Sequence, residues 1–298
     1  MKAYYTDHYV LPLPPGHRFP MSKYARLRQA VAEAQIAELL VPDAASDEQL
    51  LRVHDAAYVQ RMAAGQITPQ EMRRIGFPWS PQTVERSRRS SGGTIAACRA
   101  ALSEGIAVNL AGGTHHACRD HGEGFCIFND SAVAARAMQA EGRAQRVLII
   151  DCDVHQGNGT ADCLQGDASV FTFSIHAEKN FPFRKIPGDL DIGLPNGTED
   201  AVYLETLDEA LRRIFAVFYA DLAIYLAGAD PYVGDRLGYL ALSMKGLAQR
   251  DSLVFERCRA AGLPVAVAMA SGYAPAIDDI VAIHLQTVKL AAHWASQA

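Results

Sequence analysis

The sequence predicts an α/β fold: a single domain with an open, mainly parallel sheet flanked by helices. Three observations lead there. The carboxy-terminal two thirds carries short apolar, β-rich runs at Ala107–Leu110, Val147–Ile150, Val170–Ile175, Leu222–Leu226 and Val265–Met269, each bounded by Gly, Asp or Pro. Helical stretches alternate with these runs, and such alternation implies parallel strands joined by crossover helices. No repeat, low-complexity tract or linker interrupts the pattern, which favours one domain over 1–298.

Taken in order, the chain opens with a strand at Lys2–Tyr5, a helix near 22–36 and several short helical pieces through Glu71. Pro12-Leu13-Pro14-Pro15-Gly16 and Gly76-Phe77-Pro78-Trp79 read as loops, the second packing on the core through its aromatics. A long helix near 81–103 precedes the first apolar run, and further helices fall at about 130–141, 202–220, 244–261 and 277–296. The runs are short and almost wholly apolar, as strands buried on both faces require.

Composition bounds the function. With 298 residues, 49% of them hydrophobic, the chain can bury a large core, which excludes disorder. It has no apolar run of membrane-spanning length, and its start lacks a basic region followed by an apolar one, so no membrane partner and a soluble, cytoplasmic protein are expected. Net charge is 28 − 33 = −5, with basic residues scattered except at Arg86, Arg88 and Arg89. That cluster reads as a solvated helix face, and no direct nucleic-acid contact is expected. Cys98, Cys118, Cys126, Cys152, Cys163 and Cys258 form no Cys-x-x-Cys pair and read as reduced thiols.

Ligands of open α/β sheets gather beyond the carboxyl ends of the strands, and the unusual polar residues fall there. Gly112-Gly113-Thr114-His115-His116 follows the first run and Asp151-Cys152-Asp153-Val154-His155 the second. His176 follows the third, Gly228-Ala229-Asp230 the fourth and Ser271-Gly272-Tyr273 the fifth. In Asp151-x-Asp153-x-His155, alternate side chains of an extended segment point the same way. Adding Asp230 makes Asp153, His155 and Asp230 an oxygen/nitrogen ligand set with positions left open, as a hydrolytic zinc site requires. Capping and turn roles are the alternative for these carboxylates. Beside a metal, His115 and His116 can act as general base and electrostatic partner, with Asp151 and Asn158 as candidate acceptors for their other ring nitrogens. Tyr273 can donate a hydrogen bond to an oxyanion, or serve as a buried structural tyrosine.

Four segments together resemble the histone deacetylases: Gly112–Ala117, Gly124-Phe125-Cys126-Ile127-Phe128-Asn129-Asp130, Asp151–Thr160 and Ala229-Asp230-Pro231-Tyr232. The resemblance extends over about 1–295, and Phe173–Phe183 is most similar to the class IV and bacterial branch. It implies an arginase/deacetylase-type fold and a zinc-dependent deacylase, with Fe2+ or Co2+ as alternative metals. By position it makes Asp153, His155 and Asp230 the metal ligands, His115 and His116 the catalytic dyad, and Tyr273 the oxyanion-stabilising residue. Gly124 and Phe125 match one wall of an acyl-lysine tunnel, Phe181 or Phe183 the opposing aromatic, and Gly272 joins the substrate-binding set. Asp151, Asp153, His155, Ser174 and Ile175 match positions around a structural K+ ion in relatives.

Three departures qualify the match. Asn158 stands where class I relatives place a second aspartate against the dyad, and this marks His116 as the general base. The tyrosine turn has Ser271 where many relatives have glycine, and the rim aspartate of class I enzymes has no clear counterpart. The implied substrate is an Nε-acyl-lysine peptide or protein, with acyl-polyamine as the alternative. A dimetal ureohydrolase is the rival enzyme and needs more bridging carboxylates; a catalytically silent acyl-ligand sensor or scaffold is the rival of another class.

Overall fold

In the second predicted strand, Leu148 and Ile150 belong to one buried apolar cluster and Val147 and Ile149 to the other, the period-two signature of a strand covered on both faces. The computed structural model describes residues 1–297. Its elements begin β1 (Lys2–Tyr4), α1 (Lys23–Ala34), β2 (Glu38–Leu40), α2 (Asp47–Leu51), α3 (Ala56–Ala64), α4 (Pro69–Ile75) and α5 (Pro81–Glu104). Alternation follows through β3 (Ile106–Asn109), α6 (Asp130–Ala140), β4 (Val147–Asp151), α7 (Asn158–Leu164), β5 (Val170–Ala177), β6 (Leu190–Leu194), α8 (Asp200–Val217), β7 (Leu222–Leu226), α9 (Met244–Ala260), β8 (Val265–Ala268) and α10 (Ile277–Ala295).

The strands form one eight-stranded sheet in the order β2-β1-β3-β8-β7-β4-β5-β6. Every pairing is parallel. The five predicted runs are the contiguous centre, β3-β8-β7-β4-β5, so their carboxyl ends stand side by side. Tyr203, Leu207, Phe255 and Val288 from α8, α9 and α10 cover one face; Ile95, Ala101, Val133 and Met138 from α5 and α6 cover the other.

Two local features depart from the sequence reading or exceed it. The arginines of α5 are not a solvated face. Arg86 is buried, donates to the Thr6 and Tyr9 carbonyls and stacks over the Tyr24 ring. Arg88 donates to the Ala45 carbonyl and Arg89 to that of Pro42, so the cluster ties amino-terminal loops to α5 by satisfying their carbonyls. Within the same helix, a Cβ at Gly92 would lie 1.8 Å from the Asp43 carbonyl oxygen, so only glycine permits that approach. Among the described residues, no helix is long and apolar enough to cross a membrane.

Candidate metal centre

Four adjacent strand ends deliver the central side chains. Beyond β4 the chain bends through Asp153–His155 instead of staying extended as the sequence reading expected, and this brings Asp153 and His155 together with Asp230, which follows β7. His155 Nδ1 lies 3.0 Å from Asp153 Oδ1 and 3.1 Å from Asp230 Oδ2, and the ligand atoms of the three residues all lie within 4.8 Å of one another. Their other oxygens are held by backbone: Val154 N–H donates to Asp230 Oδ1 at 2.9 Å and Ser271 N–H to Asp153 Oδ2 at 3.1 Å. Asp230 Oδ2 is buried with no hydrogen-bond partner.

The electrostatics of this trio call for a cation. Burial and then the Asp153 charge push the Asp230 carboxyl up to about 7. Burial opposes charge on His155, but the close carboxylates of Asp153 and Asp230 outweigh it and raise the imidazole to about 10. Two buried carboxylates converging on one nitrogen need a proton or a metal between them. The oxygen/nitrogen donor set and the orphaned Asp230 oxygen fit a divalent ion of the Zn2+ type.

Beyond β3, the loop carrying the histidine pair is locked by Asp130 at the start of α6, whose carboxylate accepts from Gly113 N–H at 2.9 Å and Thr114 N–H at 2.7 Å. His115 Nδ1 meets Asp151 Oδ2 at 2.6 Å. Burial opposes its charging, yet Asp151 and Asp153 raise it to about 9. His116 Nδ1 meets Asn158 Oδ1 at 2.7 Å. Burial, then the like charges of His115 and His155, hold His116 well below the usual histidine range. Asn158 has a second partner that the sequence did not reveal: its Nδ2 donates to Glu123 Oε1 at 2.8 Å.

Beyond β8, the tyrosine turn is fixed by two further residues missed in the sequence. Asp235 accepts from Tyr273 N–H at 2.6 Å, and the buried Lys23 of α1 donates to the Ala270 carbonyl at 3.1 Å. Ala270, at φ 53°, takes the left-handed position of the turn, whereas Ser271 does not. Serine is therefore accommodated, and its Oγ lies 3.4 Å from the Tyr273 hydroxyl. Burial raises the Tyr273 phenol well above its ordinary value, which keeps it a hydrogen-bond donor.

A cavity of about 380 Å³ opens onto this cluster, lined by His116, His155, Tyr273, Gly124, Phe125 and Phe181 and with Phe183 at its mouth. Gly124 is at φ +56°, and a Cβ there would lie 2.6 Å from His116 Cδ2 and 3.0 Å from Phe181 Cε1. The wall thus has to be glycine. The two aromatics separate clearly: Phe181 packs edge-on to His116 with ring centroids 4.8 Å apart, while Phe183 is 87% exposed. Phe77 and Trp79 pack inward as expected, Phe77 against Phe125 and Trp79 through an indole N–H to the Met62 carbonyl. Gly272 is not on the cavity wall; the position of its absent Cβ faces Ile280, Ala229 and His284, because the turn leans on α10. His176 stays within β5, where its Nδ1 contacts Ser174 Oγ at 3.0 Å. Asp151 and Ser174 line a small cleft beside β4 and β5, while Asp153, His155 and Ile175 are not among the residues lining it.

Residues 17–288 match the family model of the histone deacetylase domain. An uncharacterized protein of Picosynechococcus sp. is 47% identical over 286 residues, 94% of each chain. Histone deacetylase 2 of Arabidopsis thaliana is 30% identical over 285 residues, 91% of this chain and 73% of that one. A solved HDAC homologue in complex with SAHA superposes with a TM-score of 0.81 at 26% identity, covering 96% of this chain and 84% of that chain. With a match that spans nearly the whole sequence and a fold shared at this level, the protein belongs to the histone deacetylase family and is a hydrolase of amide bonds.

Proposed function

We propose that this protein is a zinc-dependent deacylase that hydrolyses the amide of an Nε-acyl-lysine in a peptide or protein. The observation that carries the reading is the buried Asp153–His155–Asp230 cluster at the floor of a tunnel walled by Gly124, Phe125 and Phe181. Those donors would hold Zn2+, and the same set accepts Fe2+ or Co2+. When bound, the metal supplies Lewis-acid activation of the acyl carbonyl and of water. His116 accepts a proton at Nε2, since Nδ1 is engaged by Asn158, and returns it to the leaving amine. Its depressed basicity leaves it neutral and able to accept. His115, charged through Asp151, adds positive potential beside it, and the Tyr273 hydroxyl donates to the oxyanion.

The Phe173–Phe183 segment supports placing the protein in the class IV and bacterial branch. One sheet drawing strands from residue 2 to residue 268 supports a single catalytic domain over 1–298. The cleft beside Asp151 and Ser174 supports an alkali-metal site near β4 and β5.

The test is a panel of acyl-lysine peptides and acyl-polyamines of increasing acyl length, assayed after chelation and again after zinc is restored. Zinc-dependent release of the acyl group is expected. Tyr273→Phe should lower turnover on the order of a hundredfold; near-normal turnover in a folded variant would remove Tyr273 from the mechanism.

A further inference from the structure

We propose that the tunnel mouth selects an acylated lysine set in an acidic peptide; this rests on the deacylase reading and specifies its substrate. The arginines Arg18, Arg73, Arg74 and Arg236 all line the cavity at its outer end. They converge from separate places: the loop before α1, the last turn of α4 and the loop after β7. All four are exposed, and among the described residues none of their side chains makes an ion pair or hydrogen bond. Many other arginines are matched, as Arg99 is by Glu141 and Arg257 by Asp208, whereas among the described residues Arg184 and Arg213, which do not line the cavity, are unpaired singly.

Helix-end electrostatics explain two of the four at most, since Arg73 and Arg74 sit where a helix dipole favours cations. Arg18 and Arg236 have no such role. No aspartate or glutamate lines the cavity. Three carboxylates close in sequence to the lining residues are held by other partners, while Glu178, two residues from Asn180, is exposed. Glu123 accepts from Asn158, Asp235 accepts from the Tyr273, Leu237 and Gly238 N–H groups, and Glu71 pairs with Arg61. A protein of net charge −5 thus presents a mouth lined by four arginines and by no carboxylate, with Asp120 near enough to Arg74 to feel its charge.

Exposed Phe183 and Tyr239 flank these charges, so the rim combines arginine with aromatic surface, the pairing enriched where proteins grip peptides. Residues one to three places from the acylated lysine in an extended peptide lie within about 10 Å of the tunnel. That is comparable to the screening length at ordinary ionic strength, so flanking carboxylates are attracted and flanking lysines repelled. The same repulsion acts against acyl-polyamines, whose remaining amines are cationic.

The experiment compares peptides sharing one central Nε-acetyl-lysine and flanked by Glu, Gln or Arg, using the zinc-loaded enzyme. The expected kcat/KM order is acidic, neutral, basic, with about tenfold between the extremes, carried mainly by KM and shrinking at about 0.5 M salt. The charge-reversed variant Arg18→Glu/Arg236→Glu should invert the order. Equal kcat/KM for all peptides at low salt, or preference for the basic one, would overturn the proposal. If none is turned over, the deacylase reading fails. Fluorescence anisotropy with the same peptides then decides the inference alone: tighter, salt-sensitive binding of the acidic peptide upholds it, and equal binding overturns it.

Discussion

Removing the Glu123 carboxylate should cost turnover by releasing an amide, not by touching the chemistry directly. An asparagine side chain has one accepting end and one donating end, and Asn158 uses both: Oδ1 faces His116 Nδ1 at 2.7 Å and Nδ2 faces Glu123 Oε1 at 2.8 Å. A carboxylate only accepts, so Glu123 obliges the amide to turn its nitrogen outward. The carbonyl oxygen must then face His116, His116 must carry its proton on Nδ1, and Nε2 is left with a free lone pair. Flipping the amide would set two acceptors against each other at Glu123. A hydrogen bond to a charged group contributes about 1.5–3 kcal/mol, and the partial exposure of Glu123 brings its share to about 1 kcal/mol. Losing that bias corresponds to about fivefold in the ratio of productive to flipped arrangement.

The measurement is a double-mutant cycle. Glu123→Ala should lower kcat by about twofold, and by at most about fivefold, with Asn158 present, and much less in an Asn158→Asp background, where either oxygen accepts and orientation no longer matters. The 15N shifts of the His116 ring should show Nδ1–H in the parent and a tautomer mixture in Glu123→Ala. Equal losses in both backgrounds, with an unchanged tautomer, would refute the reasoning.

Further outcomes follow from single contacts. Gly124→Ala places a Cβ 2.6 Å from the His116 ring at φ +56°, so steady-state kinetics should show kcat down by more than about tenfold, with destabilisation of about 1–2 kcal/mol. Gly92→Ala drives a methyl into the Asp43 carbonyl at 1.8 Å, and thermal unfolding should give a Tm lower by about 5 °C or more without altered kinetics in the surviving folded fraction. Asp230→Asn removes one ligand charge, and elemental analysis after dialysis should find zinc content well below that of the parent. The backbone hydrogen bond from Thr68, then contacts with Arg61, hold Glu71 down to about 2. A depressed carboxyl stabilises fully above its unfolded value of 4.5 and loses that contribution as pH falls toward 2. Glu71→Gln should therefore flatten denaturation midpoints across that window, by a small amount because the group lies at the surface, where solvent screens its pairing with Arg61.

The centre of the fold was legible because strands buried on both faces must be apolar throughout, and β3, β4, β5, β7 and β8 are. The edges were not. β2 has three residues, and β6 carries Asp191 and Gly193 with only Leu194 fully buried, so neither shows the run that marks a central strand. α7 was missed as well: its Asn158-Gly159-Thr160 start resembles a loop and is buried only because the histidine loop lies against it, Thr160 N–H donating to the His115 carbonyl. Arg86 misled for the converse reason. Charge in a helix usually marks solvent, but here the carbonyls of Thr6 and Tyr9 are brought to it from 80 and 77 residues away.

The same division runs through the site. The candidate ligands, the histidine pair and Tyr273 follow strand ends closely, so topology collects them at one edge, whereas Gly124 and Phe125 reach the cavity from the long connection between β3 and α6. The groups that orient them come from elsewhere in the chain: Glu123 reaches Asn158 across 35 residues and Lys23 reaches Ala270 across 247, and neither carries a local signal. Charge behaves likewise. Arg18, Arg73, Arg74 and Arg236 appear scattered in a chain of net charge −5, and only folding places them around one opening that no carboxylate lines. Net charge sums over the whole surface, while a substrate experiences the field within about one screening length of the tunnel. For a tunnel enzyme the two can differ in sign, and under the proposed selection the local one decides which acylated lysine arrives.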